Sequence, residues 1–368
     1  MKALLLSHSP RWNGETEYAC AVARAESRMG MEVTVVGPSG SRFSSEIADR
    51  ARYLDLPRLS PAHSPLDFLW DLAWLRRLIK QEKFDLVHSC RPTSHLLAAL
   101  ALPPGVPLLH LRGSSRAPAA HLFNRWLYRR MTAAVIVSSS RLVRWTVDRL
   151  RMPADRVYTI LAPVDLERFR FAPPDSALLR ELGIPPAAPV ILMVARLAPV
   201  KGHQILVEAM GPVGQEFPEA RLVLVGKPWE GQPAALLDQA RGLGIGGKVI
   251  CPGQRTDVPR FLSIASIGVM SSLGSEENSR GVSEYMAAAL PAVVTRVGVM
   301  PELVEDGRTG SVVDSGDPKA LGAAIASLLR DREQARKMGA AGRRRAEGLF
   351  SYAAFDSRLR SVLAPGQL

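Results

Sequence analysis

Short apolar runs alternate along this chain with longer stretches in which apolar residues recur every three or four positions. Residues 2–7 read as a buried strand, and the polar loop 8–15 leads into a helical stretch with Tyr18, Ala19, Val22, Ala23 and Met29 on one face. Gly30 stops that helix, and 32–37 is the next strand. A strand, a loop, a helix and a second strand form the building unit of a parallel sheet.

The unit recurs. Helical spacing over 68–79 precedes a strand at 84–88, a helix at 93–102 precedes one at 106–110, and a helix at 121–132 precedes one at 133–137. Another helix starts at 138–140, and 158–165 reads as the last strand of a first domain. Residues 166–189, rich in Pro and Arg, suit a linker. A fresh alternation follows, with strands at 190–195, 221–226, 248–253, 264–270, 292–295 and 311–313. Its helices fall at 203–210, 234–243, 257–263, 319–329 and 333–349. The expected architecture is α/β, with two Rossmann-like domains over 1–165 and 190–345 whose parallel sheets face each other across a cleft. A terminal helix over 346–368 is expected to pack back on the first domain.

Composition agrees with that frame. A chain of 368 residues is long for one core, and 47% apolar with 22% charged residues describes a soluble globular protein. No run approaches the roughly 20 apolar residues of a bilayer span. The amino terminus turns polar at Ser7, too early for the apolar core of a signal peptide. Cys20, Cys90 and Cys251 are too widely spaced for a disulfide framework or a metal site, so the cytoplasm is the expected compartment.

Charge adds a second asymmetry. Residues 1–165 hold 23 Lys and Arg against 14 Asp and Glu, a balance of +9, whereas the remainder holds 24 against 21, or +3. A basic half fits anionic lipid, nucleic acid or a phosphorylated substrate. Phe123, Trp126 and Leu127 with Arg125, Arg129 and Arg130 give the 121–132 helix apolar and basic faces. Such a helix suits an anionic membrane surface. The more ordinary expectation is a surface helix whose aromatic side belongs to the core. Nucleic acid is not expected, because the sequence shows no exposed basic sheet or groove with aromatic residues interleaved on it, as a stacking platform would require.

Candidate chemistry gathers where strands end. In an open parallel sheet, ligands sit beyond the carboxyl ends of the strands. His88, His110 and Arg112 fall there, as does the turn Asn13-Gly14-Glu15. In the second domain Arg196 and Lys201 occupy a strand-to-helix loop, where two cations and a helix start can neutralise a diphosphate. Glu276 and Glu284 flank the turn between the 264–270 strand and the following helix, where carboxylates can hold sugar hydroxyls.

Taken in order, these segments resemble the retaining nucleotide-sugar-dependent glycosyltransferases of the two-domain GT-B type, family four (group 1). Ala195-Arg-Leu-Ala-Pro-Val-Lys-Gly202 is similar to that family's diphosphate-binding segment, and Glu276 and Glu284 match its paired glutamates. Tyr285-Met-Ala287, Pro291 to Gly298, Pro301-Glu302, Asp306-Gly-Arg-Thr-Gly310 and Gly316-Asp317 follow in the family's order. The resemblance implies phosphate contacts for Arg196 and Lys201, sugar contacts for Glu276 and ribose contacts for Glu284. It extends the donor site to Gly14, Asn278, Ser279, Arg280 and Gly281. His110 stands two residues before the place where the family often has a histidine, held here by Arg112, and inherits a position near the donor and a candidate catalytic role.

What this implies is sugar transfer from a nucleotide-sugar to a saccharide or lipid-linked acceptor, with retention and without cofactor or metal. The basic first half points to cell-envelope polysaccharide or lipopolysaccharide biosynthesis, peripheral on the inner face of the membrane. One departure matters. The family's glycine-rich run after the first glutamate is replaced by Glu277-Asn-Ser-Arg280, so a non-catalytic nucleotide-sugar-binding protein with a decayed site is the alternative, with a nucleotide-sugar epimerase beside it.

Overall fold

Thirteen parallel strands form two sheets in the computed structural model, which describes residues 1–7, 14–38, 41–55, 64–113 and 118–364. The chain divides into two compact units, Met1–Pro163 with Tyr352–Leu368, and Val164–Ser351.

The first sheet comprises β1 (Lys2–Leu6), β2 (Glu32–Gly37), β3 (Arg52–Asp55), β4 (Leu86–Ser89), β5 (Leu108–Arg112), β6 (Ala134–Val137) and β7 (Val157–Thr159), in the order β3-β2-β1-β4-β5-β6-β7. Sheets covered on both faces need strands that are apolar on both faces, and β1, β4, β5 and β6 are buried almost throughout. Alternate residues serve opposite layers. Leu5, Leu86, Leu109 and Ile136 meet the helix Gly14–Arg28, whereas Leu4, Leu6, Val87 and Leu108 meet the helices Pro65–Glu82 and Pro92–Ala101.

The strand expected at 158–165 is confined to Val157–Thr159, and β3 with the helix Arg42–Ile47 are elements that the hydrophobic pattern does not announce. The helix expected at 121–132 is a short α-helix, Leu122–Trp126, passing into a π-helical turn, Leu127–Met131. Leu127 and Tyr128 of that turn take up the core contacts. Phe123 and Trp126 are exposed, which corrects the expectation that the aromatic side faces inward.

The second sheet comprises β8 (Val190–Val194), β9 (Arg221–Val225), β10 (Val249–Gly253), β11 (Ile267–Met270), β12 (Ala292–Thr295) and β13 (Gly310–Val313), in the order β10-β9-β8-β11-β12-β13. In both sheets the first three strands run one way from the first strand and the rest run the other way. Each therefore has a reversal point, β1/β4 in one unit and β8/β11 in the other, where the loops splay apart and open a crevice.

The long helix expected to run to 349 ends at Phe350. Ser351 is extended, and a new helix, Tyr352–Val362, belongs to the amino-terminal unit. Phe355 lies edge-on to Tyr18 at 5.7 Å, and Arg28 grips Asp356 with two bonds of 2.7 and 2.8 Å.

Candidate functional site

The reversal point of the carboxyl-terminal unit lies between β8 and β11, which pair directly. After β8 the chain passes Arg196 and a 3-10 turn, Pro199–Lys201, before the helix His203–Glu216 begins. After β11 it runs through Ser271 to Ser279 and enters the helix Arg280–Ala287. Hydrogen bonds lock the two loops together, Leu273 N donating to Val200 O at 2.8 Å and the Ser271 side-chain Oγ to Gly202 O at 2.9 Å. Gly202 sits at φ 69°, and a Cβ there would collide with the Ser271 carbonyl, so only glycine closes this junction.

The lock brings Lys201 and Glu276 together. Lys201 Nζ lies 2.5 Å from Glu276 Oε1 and 3.4 Å from Ser275 O, and Ser272 Oγ donates to the same Oε1 at 2.5 Å. Glu276 is 3% exposed. A carboxylate buried to that depth needs a cation and further donors to offset its desolvation, and it has both. Its Oε2 makes no hydrogen bond among the described residues. Lys201 has a third N–H beyond the two that Glu276 and Ser275 receive. Arg196 is exposed and forms no ion pair among the described residues. The two cations expected on one loop therefore differ, one already engaged and one open.

Glu284 lies in the first turns of the helix, where Arg280 Nε meets its Oε1 at 2.7 Å across one turn. Glu284 is buried and Arg280 half-exposed, so the arginine covers the carboxylate from the solvent side. Just before it, Ser279 holds φ 34° and ψ 54°, a left-handed conformation uncommon outside glycine, asparagine and aspartate. Asn278 Oδ1 and Ser279 Oγ are buried without a partner among the described residues. Buried acceptors and hydroxyls of this kind are rare in a folded chain, and a ligand is one way of satisfying them. Gly281 lets the helix approach β8 and β11, since a Cβ would press on Val194 O and the Met270 methyl.

Two positions that residue-by-residue reading passes over hold this arrangement. Tyr285 is fully buried, accepts from Val194 N at 2.7 Å and donates to Val269 O at 3.3 Å, pinning the helix to both strands. His203 follows Gly202, and burial together with the Lys201 charge lowers its pKa to about 4, so a neutral imidazole stands at the helix start.

In the amino-terminal unit the reversal point is flanked by Gly14, which begins the first helix, and by Arg91 after β4. Arg91 pairs with Glu15 at 3.4 Å across it, a partnership the sequence does not signal. Asn13 lies outside the described residues.

His88 and His110 prove to be different kinds of residue. The register sets Ser89 opposite His110 and His88 opposite Leu109, so the two imidazoles leave opposite faces of the sheet. His88 is sealed in the core with Nε2 2.5 Å from Glu26 Oε1, which corrects its expected place in an open cleft: its face of β4 is covered by the first helix. His110 is 3% exposed, stacked on His95 at 4.1 Å, edge-on to Tyr128 and 3.0 Å from Ser89 Oγ through Nδ1. Burial, followed by the His95 and Arg112 charges, holds its pKa well below the ordinary histidine value. Arg112 is also buried, its guanidinium 4.9 Å over the Trp145 ring. These residues form one packed cluster under the carboxyl edge of β5, and none of them stands open at that edge.

Residues 176–345 match the family model described as glycosyl transferases group 1, and residues 12–168 match glycosyltransferase family 4. Spore coat protein SA of Bacillus subtilis is 27% identical over 306 residues, which cover 77% of this chain and 79% of that protein. A GDP-mannose-dependent alpha-(1-6)-phosphatidylinositol monomannoside mannosyltransferase of Mycolicibacterium smegmatis is 27% identical over 382 residues, 98% of this chain and 90% of its own. Among solved structures, Anabaena HepE in complex with UDP superposes with a TM-score of 0.85 at 21% identity, covering 99% of both chains.

Proposed function

The chain belongs to the group 1 glycosyltransferases of the GT-B type and transfers sugar from a nucleotide-sugar donor, and from that premise we propose a retaining, metal-independent transfer centred on the Lys201–Glu276 pair. The observation that carries this reading is the pair's incompleteness. Lys201 keeps one N–H and Glu276 keeps Oε2, so the donor's phosphate and sugar each find a partner beside the other. Arg196 supplies the second phosphate contact.

As the anomeric C–O bond breaks, its electron pair leaves with the diphosphate, and fixed cations stabilise that charge most when water is excluded. Glu276 Oε2 holds a sugar hydroxyl and offsets positive charge growing on the ring. The acceptor hydroxyl adds to the anomeric carbon and gives up its proton to a departing phosphate oxygen. Asn278 Oδ1 and Ser279 Oγ complete the sugar contacts over Gly281. Glu284 takes the ribose hydroxyls once Arg280 swings away. Gly14 places the start of the first helix at the reversal point of its own sheet. His110 is given no proton-transfer step, because it is enclosed by His95, Tyr128 and Ser89; it keeps β5 and Arg112 in place.

The basic first half and the lipid substrate named for the mycobacterial relative favour a lipid-linked acceptor of the cell envelope, met in the cytoplasm. A panel of UDP-, GDP- and ADP-sugars assayed with EDTA, with the product anomer read by NMR, tests the assignment. One donor is expected to turn over in EDTA and give the donor's own anomeric configuration. Inversion, or activity abolished by chelation, would overturn the mechanism. Calorimetric binding without turnover would favour a sugar-nucleotide-binding protein, and release of an epimerised donor without acceptor would favour an epimerase.

A further inference from the structure

Six large apolar side chains stand exposed at the starts of two helices of the amino-terminal unit. Leu66, Leu69 and Trp70 lie in the first turns of Pro65–Glu82, and Leu122, Phe123 and Trp126 in Leu122–Trp126, each 44–81% exposed. They are not stray surface residues, for two reasons. Leu66, Leu69, Trp70 and Ala73 follow helical spacing as one exposed stripe, opposite the buried Leu72, Leu75 and Ile79. Phe123 and Trp126 meet each other, ring centroids 5.8 Å apart, instead of turning into the core.

Topology brings the two groups to the same side. The helix Pro65–Glu82 and the π-helical turn that continues Leu122–Trp126 both pack on the face of the sheet built from Leu4, Leu6, Val87 and Leu108, where Leu75 and Leu127 share one cluster. Each runs antiparallel to the strand it precedes, as a crossover between parallel strands requires, so each begins near the carboxyl edge of the sheet. That is also the edge where ligands of such sheets lie.

The charge around the second group selects an occupant. Residues 121–151 contain seven arginines and a single carboxylate, Asp148. Arg129 and Arg130 are exposed on the π-helical turn, and Arg125 Nε donates to Arg149 O at 3.2 Å, carrying that guanidinium to the end of the next helix beside Arg149 and Arg151. Aromatic and leucine side chains flanked by arginines match the boundary between acyl chains and anionic headgroups, with rings at the interface and guanidinium groups among phosphates.

We propose that this edge of the amino-terminal unit docks on an anionic phospholipid bilayer, the two helix starts inserting shallowly and the arginines meeting lipid phosphates. This surface belongs to the amino-terminal unit alone and does not depend on donor chemistry. It gives a transferase with a lipid-linked acceptor a way to meet that acceptor at the membrane.

Co-sedimentation of the full chain with vesicles tests it. Phosphatidylcholine vesicles containing phosphatidylglycerol should pellet the protein, phosphatidylcholine alone should not, and raising the salt should release it. Phe123→Ser with Trp126→Ser should abolish pelleting. Arg129→Gln with Arg130→Gln should lower partitioning about thirtyfold, at roughly a fivefold loss for each basic residue near an anionic surface. Slow donor hydrolysis without vesicles should be unchanged in both variants, which also shows that they fold. Equal binding to neutral vesicles, or variants that pellet like the parent, would overturn the proposal. So would a dimer in sedimentation equilibrium that the serine variant makes monomeric, since the face would then belong to a second copy. A failed donor panel would leave the vesicle result intact, so the two readings fail separately.

Discussion

Lys201 and Glu276 illustrate how one contact can serve both stability and chemistry, and how the two can be separated. Removing Lys201 alone leaves a carboxylate that is 3% exposed without its cation. Breaking a buried pair from one side typically costs about 3–5 kcal/mol, far more than removing both charges together. Lys201→Ala is therefore expected to lower the Tm by several degrees and to lose about ten- to a hundredfold in donor binding. Lys201→Met with Glu276→Gln should recover most of the Tm and none of the turnover. Calorimetry beside an initial-rate assay checks this, and a double variant with restored activity would remove the pair from the mechanism. Arg280 makes a different prediction. Its bond to Glu284 spans one turn on a half-exposed side chain, worth about 0.3–0.5 kcal/mol. If it competes with the ribose for Glu284, Arg280→Gly should lower the donor KM roughly twofold, with little change in Tm. A raised KM would mean that the guanidinium itself contacts the donor.

At the scale of elements, the helix Arg280–Ala287 is positioned by Tyr285 more than by its own length. Tyr285→Phe keeps the ring in place but leaves Val194 N without an acceptor, so about 1–3 kcal/mol of stability should go. Activity should fall with it, because Glu284 precedes Tyr285 on the same helix; an unchanged thermal midpoint would show that the bond is dispensable. The sequence makes Tyr285 look like one more apolar residue of a helical stripe. Its hydroxyl gains meaning only when Val194 of β8, 91 residues away along the chain, is brought beside it. The same distinction separates what was legible from what was not. Interior strands such as β1, β6 and β12 are continuous apolar runs because both their faces are covered, and these can be read directly. The edge strand β3, Arg-Tyr-Leu-Asp, is half-exposed and carries no such run. His88 and His110 look equivalent in sequence, since both end apolar strands. Which face each leaves depends on one-residue registers that only the paired sheet defines. The left-handed Ser279 is likewise invisible, because nothing in a Glu-Asn-Ser-Arg run demands it.

Across the whole molecule, each unit hides a histidine that resists protonation, and their pH dependence adds. Burial with the Arg112 charge lowers His95 in the amino-terminal unit to about 3, and burial with the Lys201 charge lowers His203 in the other to about 4. Between an unfolded value near 6.5 and these folded values, the unfolded chain binds protons that the native one refuses, so stability must fall as pH drops. Asp175 and Asp257 act in the same direction at lower pH. Arg260 and Arg255, respectively, hold them down to about 2, and the stability they add above 3.8 is lost as pH falls toward 2. The expected curve is level above about pH 6.5 and declines below it, histidines first and carboxylates later. His203 alone contributes on the order of 3 kcal/mol across its window, at 1.36 kcal/mol per pKa unit. His203→Gln, which keeps a neutral polar side chain at the helix start, should therefore flatten the decline between pH 6.5 and 4 by about one proton's slope, whatever it does to the plateau. Calorimetric scans of both proteins across that range measure the slope directly. If the variant declined as steeply as the parent, the acid sensitivity would have to come from groups other than the imidazole behind Lys201.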